Sequence, residues 1–138
     1  MDTVAPTTSD DAPSGWENAD VTVTLTGSGV DDTYYELDDG GLIVGTSVVV
    51  SAPPDHSSDG VHTIRYYSSD EAGNVEAERT TSVRIDTTDP TITLASRLPA
   101  ANANGWNNAD VTVTWECSDS LSGARSAQVN ETKTANGA

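Results

Sequence analysis

Gly15-Trp16-Glu17-Asn18-Ala19-Asp20-Val21-Thr22-Val23-Thr24 returns almost unchanged as Gly105-Trp106-Asn107-Asn108-Ala109-Asp110-Val111-Thr112-Val113-Thr114. One unit is present twice, and that repetition decides the architecture before any other feature does. Inside each copy Val alternates with Thr, the period of a strand with one apolar face. A shorter echo, Asp2-Thr3-Val4-Ala5-Pro6-Thr7 against Asp86-Thr87-Thr88-Asp89-Pro90-Thr91, marks where each copy opens. Residues 1–85 are therefore expected to form a complete repeat, and residues 86–138 the front portion of a second.

Composition agrees with a strand-and-turn protein. The chain of 138 residues has no Phe and one Met, while Val and Thr suit pleated surfaces and Asp and Gly suit turns. From Asp20 to Thr26, Val21, Val23 and Leu25 share one face, and Gly27-Ser28-Gly29 breaks the run. Thr33 to Leu37 reads as a strand closed by the turn Asp38-Asp39-Gly40-Gly41. Leu42 to Val50 supplies one or two more strands, and Ser51 to Gly60 is a polar loop around Pro53-Pro54. Val61 to Ser68 places His62, Ile64 and Tyr66 on one face, and Arg79 to Ile85 closes the unit after the turn Asp70-Glu71-Ala72-Gly73-Asn74. Nothing has helical periodicity over a useful length. Short strands with turns every eight to twelve residues predict an all-β, immunoglobulin-like (Ig-like) β-sandwich, one complete and one incomplete.

Charge narrows the partners. Twenty-two acidic residues against six basic ones give a net charge of -16, which repels phosphate and excludes nucleic acid as a natural partner. The same sign disfavours anionic membrane surfaces, and no apolar run approaches the length of a membrane span. Mutual repulsion keeps neighbouring acidic chains apart in solution.

These motifs together resemble the bacterial and archaeal Ig-like repeats of secreted and cell-surface proteins. The residues that carry the resemblance are Asp86-Thr87-Thr88-Asp89-Pro90, the Gly-Trp-x-Asn-x-Asp-Val-Thr-Val-Thr stretch, His62-Thr63-Ile64-Arg65-Tyr66-Tyr67-Ser68 and Asp70-Glu71-Ala72-Gly73-Asn74. The resemblance implies an extracellular or cell-surface spacer in an adhesin-like or filamentous protein. Its partners would be neighbouring repeats or copies of itself. A carbohydrate- or protein-binding adhesion module, accessory to a larger extracellular protein or hydrolase, is the alternative.

Candidate chemistry is sparse. No serine sits in a Gly-x-Ser-x-Gly elbow, and His62 reads as a packed strand residue, so no catalytic residue is nominated. A calcium ion is the more serious reading. Asp70, Asn74 and Glu76 are expected around one strand end, near where Asp86 leads into the following repeat, and hard cations take oxygen ligands of this kind. The competing and favoured reading is that Asp70 and Asn74 cap a tight turn opened by Gly73. Trp115 is expected in the core, and Trp16 and Trp106 against the sandwich end. Cys117 continues the inward series Val111, Val113, Trp115. In the resembling repeats a cysteine here bridges to the strand before the Asp-x-Ala-Gly-Asn turn, which the second copy lacks. A partner elsewhere in the parent chain, another chain, or a buried free thiol all remain open. Half a sandwich would leave Val111, Val113 and Trp115 facing water and strand edges unpaired; disorder, packing on the first copy and pairing with strands of a neighbouring molecule are the three outcomes, and self-association through strand addition is the one expected.

Overall fold

The alternating stretch forms β3 (Val21–Ser28), and its neighbours follow from the need to dry one of its faces. The computed structural model describes residues 1–124 and 128–134, within two compact units, Met1–Thr87 and Thr88–Ala138. The first unit contains β1 (Thr7–Asp10), β2 (Trp16–Glu17), β3, β4 (Asp32–Leu37), β5 (Ile43–Val44), β6 (Ser47–Val50), β7 (Gly60–Ser69) and β8 (Arg79–Ile85). These strands make two sheets, ordered β1-β3-β6 and β2-β8-β7-β4-β5. Apart from the brief excursion of β2 to the larger sheet, the chain changes sheet between β3 and β4, returns between β5 and β6, and changes again between β6 and β7. That is the strand order of an Ig-like sandwich, as the alternation and turn spacing predicted.

The core lies where the two inner faces meet. Val23 and Leu25 of β3 and Val48 and Val50 of β6 pack with Ile64 and Tyr66 of β7 and Val83 and Ile85 of β8, all buried. Their strand neighbours Thr22, Thr24, Arg65 and Arg84 point out to solvent. Each fully buried aliphatic side chain contributes about 1.5–3 kcal/mol relative to exposure. The turn after β4 is tight because Asp38 and Asp39 both take left-handed φ, 50° and 58°, while Gly40 N–H donates to Leu37 O at 2.9 Å. Asp tolerates that conformation better than most residues, so a two-acid turn works here.

Polar groups lock β1 across the layers. The Thr8, Ser68 and Thr33 hydroxyls form a buried chain, with Thr8 Oγ1 2.6 Å from Ser68 Oγ and Ser68 Oγ 2.9 Å from Thr33 Oγ1. Thr8 N–H donates to Glu76 Oε2 at 3.0 Å, and Tyr66 O–H donates to Asp10 Oδ2 at 2.7 Å. Burial and that bond to Asp10 push the Tyr66 phenol up to about 12. At the far end, Ile85 pairs with Gly60. Since Thr8 sits at the Ser68 end of β7, the chain comes in at one end of the sandwich and leaves at the other, about 26 Å away along β7.

The second unit contains β9 (Thr91–Leu98), β10 (Val111–Ser118) and β11 (Gln128–Lys133) in one sheet, ordered β11-β10-β9. Thr91 opposite Ser118 repeats the register of Thr7 opposite Ser28. β10 leads into β11 in its own sheet, whereas β3 leads into β4 of the other layer. Among the described residues no second sheet belongs to this unit. Trp115, expected in a core, is therefore only half-buried, and Trp106, expected to pack on a sandwich end, is 73% exposed. Both expectations assumed an opposing layer.

Ile64→Ala should lower the stability of the first unit by about 2–5 kcal/mol, since it empties the centre of the core. Urea unfolding followed by circular dichroism measures this. A loss below about 1 kcal/mol would place Ile64 outside the cooperative core.

Candidate functional site

The Asp70–Asn74 turn follows directly from its residues. Gly73 supplies φ 84°, Gly73 N–H donates to Asp70 O, and Asp70 N–H donates to Asn74 O. Both Asp70 carboxylate oxygens are engaged by Asn74: Oδ1 accepts its backbone N–H at 2.8 Å, and Oδ2 accepts from Nδ2 at 2.9 Å. Those hydrogen bonds hold the Asp70 carboxyl below its ordinary value, led by the one from the Asn74 side chain. Glu76 lies just beyond, its side chain 6% exposed, with Oε2 taking the Thr8 amide and Arg79 Nε 3.6 Å away.

Asp86 does not join them. It follows Ile85, which pairs with Gly60 at the start of β7, whereas Asp70 follows the end of that ten-residue strand. About 30 Å of β7 separates the two places. An antiparallel hairpin returns its second strand to the beginning of the first, so a turn residue and a strand-exit residue cannot share an ion. Among the described residues no three His, Cys, Asp or Glu side chains are grouped to hold a metal. The four residues do not fit one calcium site.

Beneath the opposite end of β7 lies a second polar constellation, which sequence reading passed over. His62 Nδ1 is 2.6 Å from Asp38 Oδ2, and His62 Nε2 is 2.8 Å from Ser58 O. Both partners are acceptors, so the ring is best satisfied as an imidazolium donating from each nitrogen. Burial alone would lower its pKa, but the Asp38 and Ser58 hydrogen bonds and the Asp38 charge leave it raised. Burial would likewise raise Asp38, yet bonds from His62 and the Thr63 amide, at 2.8 Å, leave it lowered. The loop fixed at Ser58 in turn holds the chain's exit from the unit. Asp59 Oδ1 accepts the Thr87 N–H at 2.9 Å and the Thr87 O–H at 2.7 Å, and His56 Nδ1 lies 2.7 Å from Thr87 Oγ1. A hollow of about 190 Å³ beside this clamp is lined by Glu36, Asp38, Asp39, Thr63 and Arg65. Its acids are already engaged: Arg65 reaches Asp39 at 3.1 Å and Glu36 at 3.9 Å.

The aromatic residues separate by face. Tyr35 and Tyr66 point inward, whereas Tyr34 and Tyr67 stack on the outer face of the larger sheet, ring centres 5.1 Å apart and planes 20° from parallel. Both are half-buried, and Val44 is paired beside Tyr34. The sequence alone left the tyrosine pair unplaced; the register of β4 on β7 sets Tyr34 opposite Tyr67. Trp16 is half-buried and pairs in parallel with Arg84 of β8. Cys117 is a free, half-buried thiol opposite Ile92 on β9.

Comparison with known proteins adds little to this geometry. No protein-family model matches the chain, and no curated protein does. Among solved structures, one described as Clostridium thermocellum CbhA fibronectin(III)-like modules aligns with 94% of this chain and 80% of its own, at 16% identity and a TM-score of 0.49. The fold assignment rests on the strand order itself.

The His62 clamp gives a signed pH dependence. Because the folded pKa of His62 is raised, its contribution is complete below the ordinary 6.5 and is lost as pH rises through the folded value. The lowered Asp38 pKa makes its contribution complete above 3.8, with loss on acidification through the folded value. Replacing His62→Gln should therefore cost more stability at about pH 5 than at about pH 8.5. Urea midpoints of both proteins at the two pH values measure it, and an equal cost at both would contradict the clamp.

Proposed function

We propose that this chain is a non-catalytic, extracellular spacer whose Ig-like units carry tension lengthwise and hold neighbouring regions of a surface protein apart. The observation that carries this reading is the placement of the first unit's two ends, about 26 Å apart at opposite ends of β7. A tandem repeat can then be strung end to end. Both terminal segments are also pinned where a pull would arrive. β1 is held by its ladder to β3 and by Ser68, Glu76 and Tyr66. At the exit, β8 pairs with β7 and β2, Asp86 N–H donates to Glu17 O at 2.9 Å, and Thr87 is tied to Asp59.

Strands loaded along their length must break their ladder bonds together, whereas strands pulled from one shared end unzip bond by bond. The net charge of -16, from 22 acidic residues against six basic ones, adds repulsion between adjacent stalks. Self-association by strand addition belongs to the same proposal, since β9 and β11 are sheet edges.

A second reading is favoured by the stacked Tyr34–Tyr67 pair. Two stacked, half-buried rings on the outer sheet face suit a sugar ring or a protein surface, and would make the unit an adhesion module. Glycan-array binding that disappears in Tyr67→Ala, with the fold retained, would favour it over the spacer.

Single-molecule pulling tests the leading reading. With handles at Thr3 and Thr87, the first unit should rupture at higher force than with handles at Asp31 and Glu71, which share one end of the sandwich. Equal forces in the two geometries would remove the mechanical argument.

A further inference from the structure

The chain's two histidines, His56 and His62, both act at the loop that precedes β7. Pro53 to Asp59 forms two successive turns, closed by His56 N–H to Pro53 O and by Asp59 N–H to His56 O, each at 3.1 Å. Within them Asp55 Oδ1 accepts from the amide and the hydroxyl of Ser57. A loop bonded to itself this closely moves as one piece, so displacing Ser58 displaces Asp59. Asp59 in turn grips the departing chain through the amide and hydroxyl of Thr87.

His62 fixes the other side of that piece. Its Nδ1 lies 2.6 Å from Asp38 Oδ2 and its Nε2 lies 2.8 Å from Ser58 O. Both partners are acceptors, so the arrangement needs a proton on each ring nitrogen. A neutral ring has one, and the charged carboxylate of Asp38 makes the stronger claim on it. Nε2 would then turn a lone pair towards the Ser58 carbonyl, two acceptors with no proton between them. That contact is repulsive, and both atoms need a new donor.

The charges around the imidazole leave Asp38 as its partner. On the turn after β4, Asp39 is paired with Arg65 at 3.1 Å. On the loop, His56 and Asp59 are bonded to Thr87, and Asp55 to Ser57. On β8, Val83 lies opposite His62, Arg84 points to the outer face, and the Asp86 carboxyl is buried past Ile85. Burial lowers the His62 pKa, but the Asp38 and Ser58 bonds and the Asp38 charge outweigh it and lift the value above 6.5. Burial raises Asp38, yet the His62 and Thr63 bonds and the His62 charge bring it below 3.8.

We propose that His62 is a proton-operated latch on the exit of the first unit. Doubly protonated, it holds Ser58, and through Asp59 it keeps Thr87 fastened; without the Nε2 proton it lets the loop and Thr87 go. The latch is closed from 3.8 to 6.5 and opens as pH rises through the folded value of His62. The segment that leads into the next unit is thus held in mild acid and freed in alkali. This holds whether or not the chain serves as a spacer.

NMR solvent exchange in the full chain tests it, with rates corrected for their intrinsic pH dependence. Protection of the Thr87 amide should fall by about tenfold between pH 5 and pH 9. The midpoint should coincide with the titration of the His62 ring, read from its own nitrogen resonances, while the core amide of Ile64 stays protected. His62→Gln, which cannot titrate, should abolish the transition, and His56→Gln should keep it. Constant Thr87 protection in the natural chain overturns the latch. So does a midpoint that follows His56, or equal loss of protection at Thr87 and Ile64, which would mark unfolding of the whole unit.

Discussion

The structure depends on apolar contact between two sheets across the central strand of each. β3 brings Val23 and Leu25 to a surface dried by Ile64, Tyr66, Val83 and Ile85 of the opposite sheet, with Tyr35 and Leu37 packed against the same cluster. A single sheet cannot bury such a row, because its own strands lie beside one another. Everything else in the first unit follows from that second layer. The crossovers after β3 and β6 exist to build it, and the Thr8–Ser68–Thr33 hydroxyls are satisfied among themselves because no water reaches them. The second unit supplies the control within the same chain: near-identical residues at Val111–Thr114, no opposing layer among the described residues, and half-exposed side chains as a result.

Much of the fold was legible because period two is a strong signal. Val21, Val23 and Leu25, or Ile64 and Tyr66, declare their inward face without reference to any partner. The turns were legible from Asp38-Asp39-Gly40-Gly41 and from Gly73. β2 was not, because a two-residue parallel pairing of Trp16 and Glu17 with β8 leaves no periodicity to read. The burial of Trp106 and Trp115 was misjudged for a different reason. Repetition shows that a position is equivalent, but exposure depends on what lies opposite, and Trp106 has no β8 counterpart among the described residues.

Site residues were less legible than strands. Asp70 and Asn74 read as a cap, and their hydrogen bonds have that form, but Asp86 was grouped with them by nearness in the chain. The β7–β8 hairpin reverses that nearness. His62 read as a packed strand residue; its bonds to Asp38 and Ser58 join segments far apart in sequence, and only the register reveals them. The consequence for function is mechanical. These polar ties gather at the two ends of the sandwich, where the chain comes in and leaves, and the outer faces carry solvated acids and the tyrosine pair.

Native-state hydrogen exchange compares the two copies most directly. If the opposing layer is what stabilises the repeat, the amides of Val23 and Leu25 should exchange only through global unfolding of the first unit, and those of Val113 and Trp115 orders of magnitude faster. Equal protection at the four equivalent amides would mean that a lone three-stranded sheet holds itself together, and the dependence on a second layer would be wrong.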